Sequence, residues 1–128
     1  IQGVMEYSEK PDGPGLWIKD TPGREIEVLT GMAVGGSQII LFSTGRGAPQ
    51  GFPIVPVIKI CGNNITFNNM KNDMDVDASE ILSGEKSIEE IGEISLKLLL
   101  EVCSGNMTKG EAINYTKSMD IYTKGPII

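Results

Sequence analysis

The sequence predicts an α/β fold, with a mainly parallel sheet and helices that flank it. Short apolar runs that suit buried strands alternate with segments whose apolar residues recur at helical spacing. Helices placed between strands imply crossover connections, and crossovers join parallel strands. The 128 residues are enough for one domain with its own core and too few for two. We therefore expect a single Rossmann-like domain of three layers over residues 1–128.

The first half of the chain predicts two short strands, a helix and a third strand. The two strands are expected at residues 3–7 and 16–19, and each is followed by a turn rich in proline and glycine. Apolar residues recur at helical spacing over residues 24–34, where a helix is predicted. Gly35 and Gly36 end that helix, and residues 38–43 form an apolar strand.

The second half predicts one further strand and mainly helices. Residues 48–56 carry three prolines and form a loop, and residues 57–60 form the next strand. One or two helical turns are expected at residues 67–71.

Two capping boxes mark the last predicted helices. Ser87 with Glu90 begins a helix over residues 87–103, which we expect to be largely buried because leucines widen its apolar surface. Thr108 with Glu111 begins a short final helix.

Composition limits the classes of function. The net charge of -6 and the pI near 4.6 argue against nucleic acid or an anionic membrane as a partner. No apolar stretch is long enough to span a bilayer, and two cysteines are too few for a disulfide framework, so a cytoplasmic protein is expected. Histidine is absent, so catalysis would need other residue types or groups from outside the chain. The chain begins with Ile1 instead of Met, as an excised fragment would.

The run of residues 43–47 follows an apolar strand and predicts an anion site. Thr44 and Arg46 are bracketed by Gly45 and Gly47, which leave backbone N–H groups accessible. Small ligands bind at the carboxyl ends of strands in open α/β sheets, and a guanidinium matches a carboxylate or phosphate. The alternative is an ordinary turn with a solvated Arg46.

Two further positions suggest chemistry. Lys59 lies inside an apolar strand, where burial would lower its pKa toward that of a usable base or an acid would pair with it. The alternative is an edge strand with one face in water. Asp20 and Thr21 precede a glycine turn and a helix start, where backbone N–H groups favour an anion. The alternative there is an ordinary helix cap.

Alternating carboxylates suggest a cation site. Asp73, Asp75 and Asp77 would project on one side of an extended segment, as a hard cation requires. The pattern departs from an EF-hand loop, because Ala78 and Gly84 stand where that loop has Gly and Glu. The alternative is a solvated acidic turn.

Six segments taken together carry a family resemblance over residues 3 to about 110. They are Val4-Met5-Glu6-Tyr7-Ser8-Glu9, Asp20-Thr21-Pro22-Gly23, Thr30-Gly31-Met32 with Gly35-Gly36, Leu41-Phe42-Ser43-Thr44-Gly45-Arg46-Gly47, Ile58-Lys59-Ile60 and Asp73-Met74-Asp75. Their order resembles that in altronate and galactarate dehydratases, with the large subunit of sulfolactate sulfo-lyase as a further relative. The chain is similar to the carboxyl-terminal part of those enzymes.

The resemblance implies a cytoplasmic lyase that removes water from a sugar acid and forms a 2-keto-3-deoxy acid. It implies a divalent metal, iron(II) or manganese(II), with Asp75 and Asp77 as ligands. It also implies Lys59 as the catalytic group and residues 44–47, with Asp20 and Thr21, as substrate contacts. The partners would be the sugar acid, the missing amino-terminal part and, in a homo-oligomer, further copies. The isolated fragment is expected to be inactive.

Two departures from the family pattern affect the site. Asp77, Ala78 and Ser79 stand where relatives continue with Asn, Ala and Gly, and Cys61-Gly62 stands where relatives often have Thr. The alternatives are a sulfolactate sulfo-lyase fragment, a carboxylate-binding module without catalysis, and a structural domain that builds an oligomer interface.

Overall fold

Two parallel sheets form the framework of the protein in the computed structural model, which describes residues 1–123. β1 (Gly3–Met5) pairs with β2 (Trp17–Lys19). β3 (Ile40–Thr44), β4 (Val57–Cys61) and β5 (Val76–Asp77) form the second sheet, with β4 in the middle. All three pairings are parallel, so the predicted α/β fold with parallel strands and flanking helices is confirmed. The division into two sheets was not predicted, because the spacing of apolar residues along the sequence does not show which strands pair with each other.

Five helices connect and cover the strands of the described residues. They are α1 (Glu25–Val34), α2 (Asn64–Asn69), α3 (Ser79–Ser83), α4 (Ile88–Cys103) and α5 (Lys109–Ala112). α2 begins three residues before the predicted position because the Asn63 side chain accepts the Thr66 backbone N–H at 3.0 Å and caps the helix. None of the helices within residues 1–123 has the length and apolar character needed to cross a membrane.

Both predicted capping boxes are confirmed. The Ser87 hydroxyl accepts the Glu90 backbone N–H at 3.2 Å, and the Glu90 carboxylate accepts the Ser87 N–H at 2.7 Å. Thr108 and Glu111 make the same reciprocal bonds at the start of α5. Each box satisfies backbone donors that the first helical turn leaves unpaired.

The core lies on both faces of the second sheet. Neighbouring residues of a strand point to opposite faces, so Val57 and Ile58 enter two different clusters. Val57 packs with Leu29 of α1, and Ile58 packs with Ile91 and Val102 of α4. Helix, sheet and helix therefore make three layers, with β4 at the centre.

The prediction that the helix over residues 87–103 is largely buried is wrong. Only Ile91 and Val102 of α4 are buried, whereas Leu96 and Leu100 are more than half exposed. The sheet covers one side of the helix, and no described residue covers the leucines on its other side. Apolar spacing predicted the helix correctly but could not show which of its sides has a partner.

Candidate functional site

Lys59 is the centre of the candidate site. It lies in the middle of β4, and its side chain has no exposed surface. Its ammonium forms an ion pair with the Glu25 carboxylate at the start of α1. The Nζ atom also stands 4.4 Å from the ring centre of Phe42, its register partner on β3. Because β4 is the central strand, the alternative of a wet edge strand does not hold.

The surroundings of Lys59 shift its protonation equilibrium. Burial lowers the pKa of the Lys59 ammonium below its ordinary value of 10.5, because the charged form loses its hydration. The hydrogen bond and charge of Glu25, and then the charge of Asp75, oppose that shift. The neutral amine is therefore nearer in free energy to the ammonium than it is for a lysine in water.

Glu25 is the part of the site that sequence reasoning missed. Its side chain is 22% exposed, so the carboxylate is the end of the ion pair that solvent reaches. It lies 34 residues before Lys59 in the chain. The only sign of Glu25 in the sequence was its position as an acidic residue in the first turn of a predicted helix. Acidic residues are common at that position because they interact favourably with the helix dipole, so the position alone does not indicate a site.

The carboxylates of Asp75 and Asp77 accept hydrogen bonds from within the chain. The Asp75 carboxylate accepts the backbone N–H groups of Lys59 at 2.7 Å and Lys109 at 2.9 Å. Asp77 accepts the N–H of Ser79 at 2.9 Å and its hydroxyl at 2.5 Å. Residues 1–123 contain no group of three or more acidic, cysteine or histidine side chains that could hold a metal. The described residues alone therefore do not form a complete ligand set for iron(II) or manganese(II), and the metal role of both aspartates stays a prediction.

Residues 44–47 lie at the carboxyl end of β3, beside α2. The Thr44 carbonyl accepts the N–H of Gly62, and the Thr66 hydroxyl donates to the Gly45 carbonyl at 3.4 Å. Gly47 has a φ of +87°, and a Cβ there would stand 2.4 Å from the Met70 sulfur. The turn therefore requires glycine at this position.

Arg46 is exposed at this turn, and no carboxylate within residues 1–123 forms an ion pair with it. Its guanidinium is therefore accessible to a ligand. The predicted substrate role of residues 44–47 stays a prediction.

Asp20 and Thr21 follow β2 and line a cavity of about 610 Å³, and Thr21 also lines a neighbouring cavity of about 670 Å³. Glu6 also lines the smaller cavity, together with Tyr7 and Tyr122. Two carboxylates in one cavity repel an anion, so this surrounding does not by itself favour a carboxylate ligand. Residues 44–47 do not line this cavity, and the substrate role of Asp20 and Thr21 also stays a prediction.

The fold and this geometry define an α/β domain with polar groups at the carboxyl ends of parallel strands, where such domains bind small ligands. The class agrees with the comparison to known families. The family model described as D-galactarate/altronate dehydratase, C-terminal, matches residues 1–127. The chain belongs to this sugar-acid dehydratase family and corresponds to its carboxyl-terminal domain.

Individual relatives carry lyase and dehydratase names. The (2R)-sulfolactate sulfo-lyase subunit beta of Chromohalobacter salexigens is 38% identical over 115 residues, which are 90% of this chain and 30% of that protein. Galactarate dehydratase (L-threo-forming) of Escherichia coli is 34% identical, over 82% of this chain and 20% of that protein. Altronate dehydratase of Escherichia coli is 30% identical, over 98% of this chain and 25% of that protein. The chain thus spans less than a third of the length of each of these relatives.

Proposed function

We propose that this chain is the carboxyl-terminal domain of a hydro-lyase that converts a sugar acid of the altronate or galactarate type to a 2-keto-3-deoxy acid. Family membership over residues 1–127 supports the reaction class. The observation that carries the proposal is the ion pair between the buried Lys59 and the partly exposed Glu25. It supplies a base at the protein surface with a buried cation directly behind it.

The reaction needs a base for the proton on the carbon next to the carboxylate, and a way for the neighbouring hydroxyl to leave. In our proposal Arg46 and the backbone N–H groups of residues 44–47 hold the substrate carboxylate. The carboxylate of Glu25 removes the proton, and the C–H electron pair forms the new double bond as the C–O bond breaks. The hydroxyl takes a proton and departs as water, and the enol becomes the 2-keto acid.

Lys59 acts as a catalytic group through the proton it shares with Glu25. Its ammonium is the only cation that pairs with Glu25 among the described residues, and burial lowers the pKa of that ammonium. Glu25 holds the proton that it removes from the substrate and returns it to the departing hydroxyl, and the ammonium of Lys59 stabilises the carboxylate that this return leaves behind. Because the described residues do not form a metal centre, no step is assigned to iron(II) or manganese(II) here.

The activity also requires the rest of the parent protein. The relatives are three to five times longer than the matched segment, since it covers 20% to 30% of their length. We propose that the missing amino-terminal part supplies further substrate contacts and any metal ligands, and that the enzyme works in the cytoplasm.

A second candidate is a sulfolactate sulfo-lyase. The relative with that name has the highest identity of the three, 38%. The same α-proton removal would then expel sulfite in place of hydroxide.

The test is turnover by the full-length protein, supplied with iron(II) or manganese(II). The substrates are altronate, galactarate and related aldonic and aldaric acids, with sulfolactate alongside, and the products are 2-keto-3-deoxy acid and sulfite. We expect Lys59→Met to abolish turnover, and Lys97→Met on the exposed side of α4 to leave it unchanged. Near-normal activity of Lys59→Met would remove Lys59 from the mechanism. Binding of an acid without any turnover would instead support the carboxylate-binding module.

A further inference from the structure

A second cavity, of about 670 Å³, lies between the two-stranded sheet and the carboxyl-terminal end of α1. Its wall includes Lys10, Trp17 and Lys19 from the first part of the chain, with Met32 and Gln38 from α1 and the segment that follows. The proposed lyase chemistry uses none of these side chains.

The charge of this cavity is opposite to that of the whole chain. The protein carries 17 acidic against 11 basic residues, yet two lysines and no Asp or Glu are among the described residues that line the cavity. The neighbouring cavity, in contrast, is lined by Glu6 and Asp20. Two lysines in a wall without an acidic residue favour an anionic ligand at that place.

Lys19 is held in position by the backbone. Its ammonium donates to the Glu9 carbonyl at 2.6 Å, which uses one of three N–H donors and leaves two for a ligand. A Cβ at Gly35 would stand 2.0 Å from Nζ, so the absence of a side chain there leaves room for the ammonium. Burial lowers the pKa of Lys19 while the Glu9 charge opposes that shift, as expected for a cation at the edge of an apolar space.

Beside the lysines, the wall combines apolar and aromatic side chains with the polar residues Thr21, Ser37 and Gln38. Met5, Met32 and the Trp17 indole all line the cavity. The indole N–H donates to the Gly13 carbonyl at 3.0 Å, so its polar edge already has a partner and its ring is left for apolar contact. Methionine side chains adapt to ligands of different shape.

We propose that this cavity binds a small organic acid with an apolar body, such as an aromatic carboxylate. Lys19 and Lys10 bind the acidic group, and the body of the ligand lies against Trp17 and the methionines. Such a ligand differs from a polyhydroxylated sugar acid, because Trp17, Met5 and Met32 offer no hydrogen-bond partners for hydroxyl groups on the part of the ligand that they contact.

The test is a titration of the full-length protein with benzoate. Benzyl alcohol controls for the ring without the charge, and acetate for the charge without the ring. We expect benzoate to bind at least about tenfold more tightly than either control, and Lys19→Met to weaken it about tenfold, as the loss of one charged hydrogen bond does. Trp17→Phe should remove a fluorescence change that wild type shows on binding. Lys97→Met is the matched control with no expected effect.

Each other outcome would overturn the proposal. No binding of benzoate, equal binding of benzyl alcohol or acetate, or unchanged affinity in Lys19→Met would each do so. If Lys19→Met fails to fold, Lys10→Ala replaces it, because Lys10 is exposed and its loss leaves the fold intact. Lys10→Ala is then expected to weaken benzoate binding severalfold, and an unchanged affinity for benzoate would refute the proposed site. Dehydratase activity is not the readout, so failure here is distinct from failure of the proposed lyase function.

Discussion

Replacement of Glu25 by Gln should destabilise the protein far more than replacement of its partner Lys59. Lys59 has no exposed surface, so Glu25→Gln leaves its ammonium buried with no counter-ion in direct contact. Loss of one partner from a buried ion pair typically costs about 3–5 kcal/mol, because the remaining charge is neither hydrated nor paired. Lys59→Met instead leaves a carboxylate that is 22% exposed and can be hydrated. Its expected cost is about 1 kcal/mol or less.

Deprotonation of Lys59 sets an upper limit on the loss of stability in Glu25→Gln. The buried ammonium can lose its proton and become a neutral amine. For a lysine with the ordinary pKa of 10.5, the free energy of this deprotonation is about 5 kcal/mol near pH 7 and about 2 kcal/mol near pH 9. Burial lowers the pKa in the folded state, so the unfolded chain binds more protons between the two pKa values. The stability of Glu25→Gln therefore rises with pH over that range.

Hydrogen exchange of the β4 amide groups in the full-length protein measures the local free energy of opening at both pH values. The expected result is a large loss in Glu25→Gln near pH 7 that shrinks near pH 9, with little change in Lys59→Met. Equal losses in the two variants, or a loss in Glu25→Gln that does not depend on pH, would refute the reasoning.

Four other variants test the site and the packing. Arg46→Ala should raise the KM of the full-length enzyme with little change in thermal stability, because Arg46 is exposed; an unchanged KM would exclude it from substrate binding. Gly31→Ala should cost about 1–3 kcal/mol, since its Cβ would stand 2.2 Å from the Tyr7 ring, whereas Gly92→Ala meets open space and should stabilise by up to about 1 kcal/mol. Denaturant unfolding compares the two. Asp75→Asn should cost about 1–3 kcal/mol in the same assay, because an amide group cannot accept both backbone N–H groups that the carboxylate accepts.

Local signals in the sequence predicted local features well. The capping boxes at Ser87 and Thr108 depend on residues three positions apart, and both occur as expected. Burial of Lys59 was one of two alternatives that its apolar neighbours in the sequence left open, and it is the one that the structure shows. The strand ends were correct to within two residues, except that β5, with only two residues, is too short to give a periodic signal.

Contacts between distant parts of the chain could not be predicted. Glu25 reaches Lys59 only because α1 packs against the second sheet, and nothing in either local pattern identifies the other. The hydrogen bonds of the Asp75 and Asp77 carboxylates could not be predicted either, because the sequence does not show which backbone N–H groups lie near them. The exposed leucines of α4 illustrate the same limit, since the spacing of apolar residues does not show that no described residue covers them.

The parallel topology has a consequence for folding. Strand pairing joins Gly3 with Trp17, Ile40 with Val57 and Ile60 with Val76, so paired residues lie 14 to 17 positions apart. No tight turn can nucleate such a pair, and each one needs closure of a long loop first. During synthesis, β4 has both neighbours only after residue 77 has left the ribosome, and the Asp75 bond to residue 109 forms later still. Until then the apolar surface of β4 is uncovered, and exposed strand edges of this kind favour aggregation of the nascent chain.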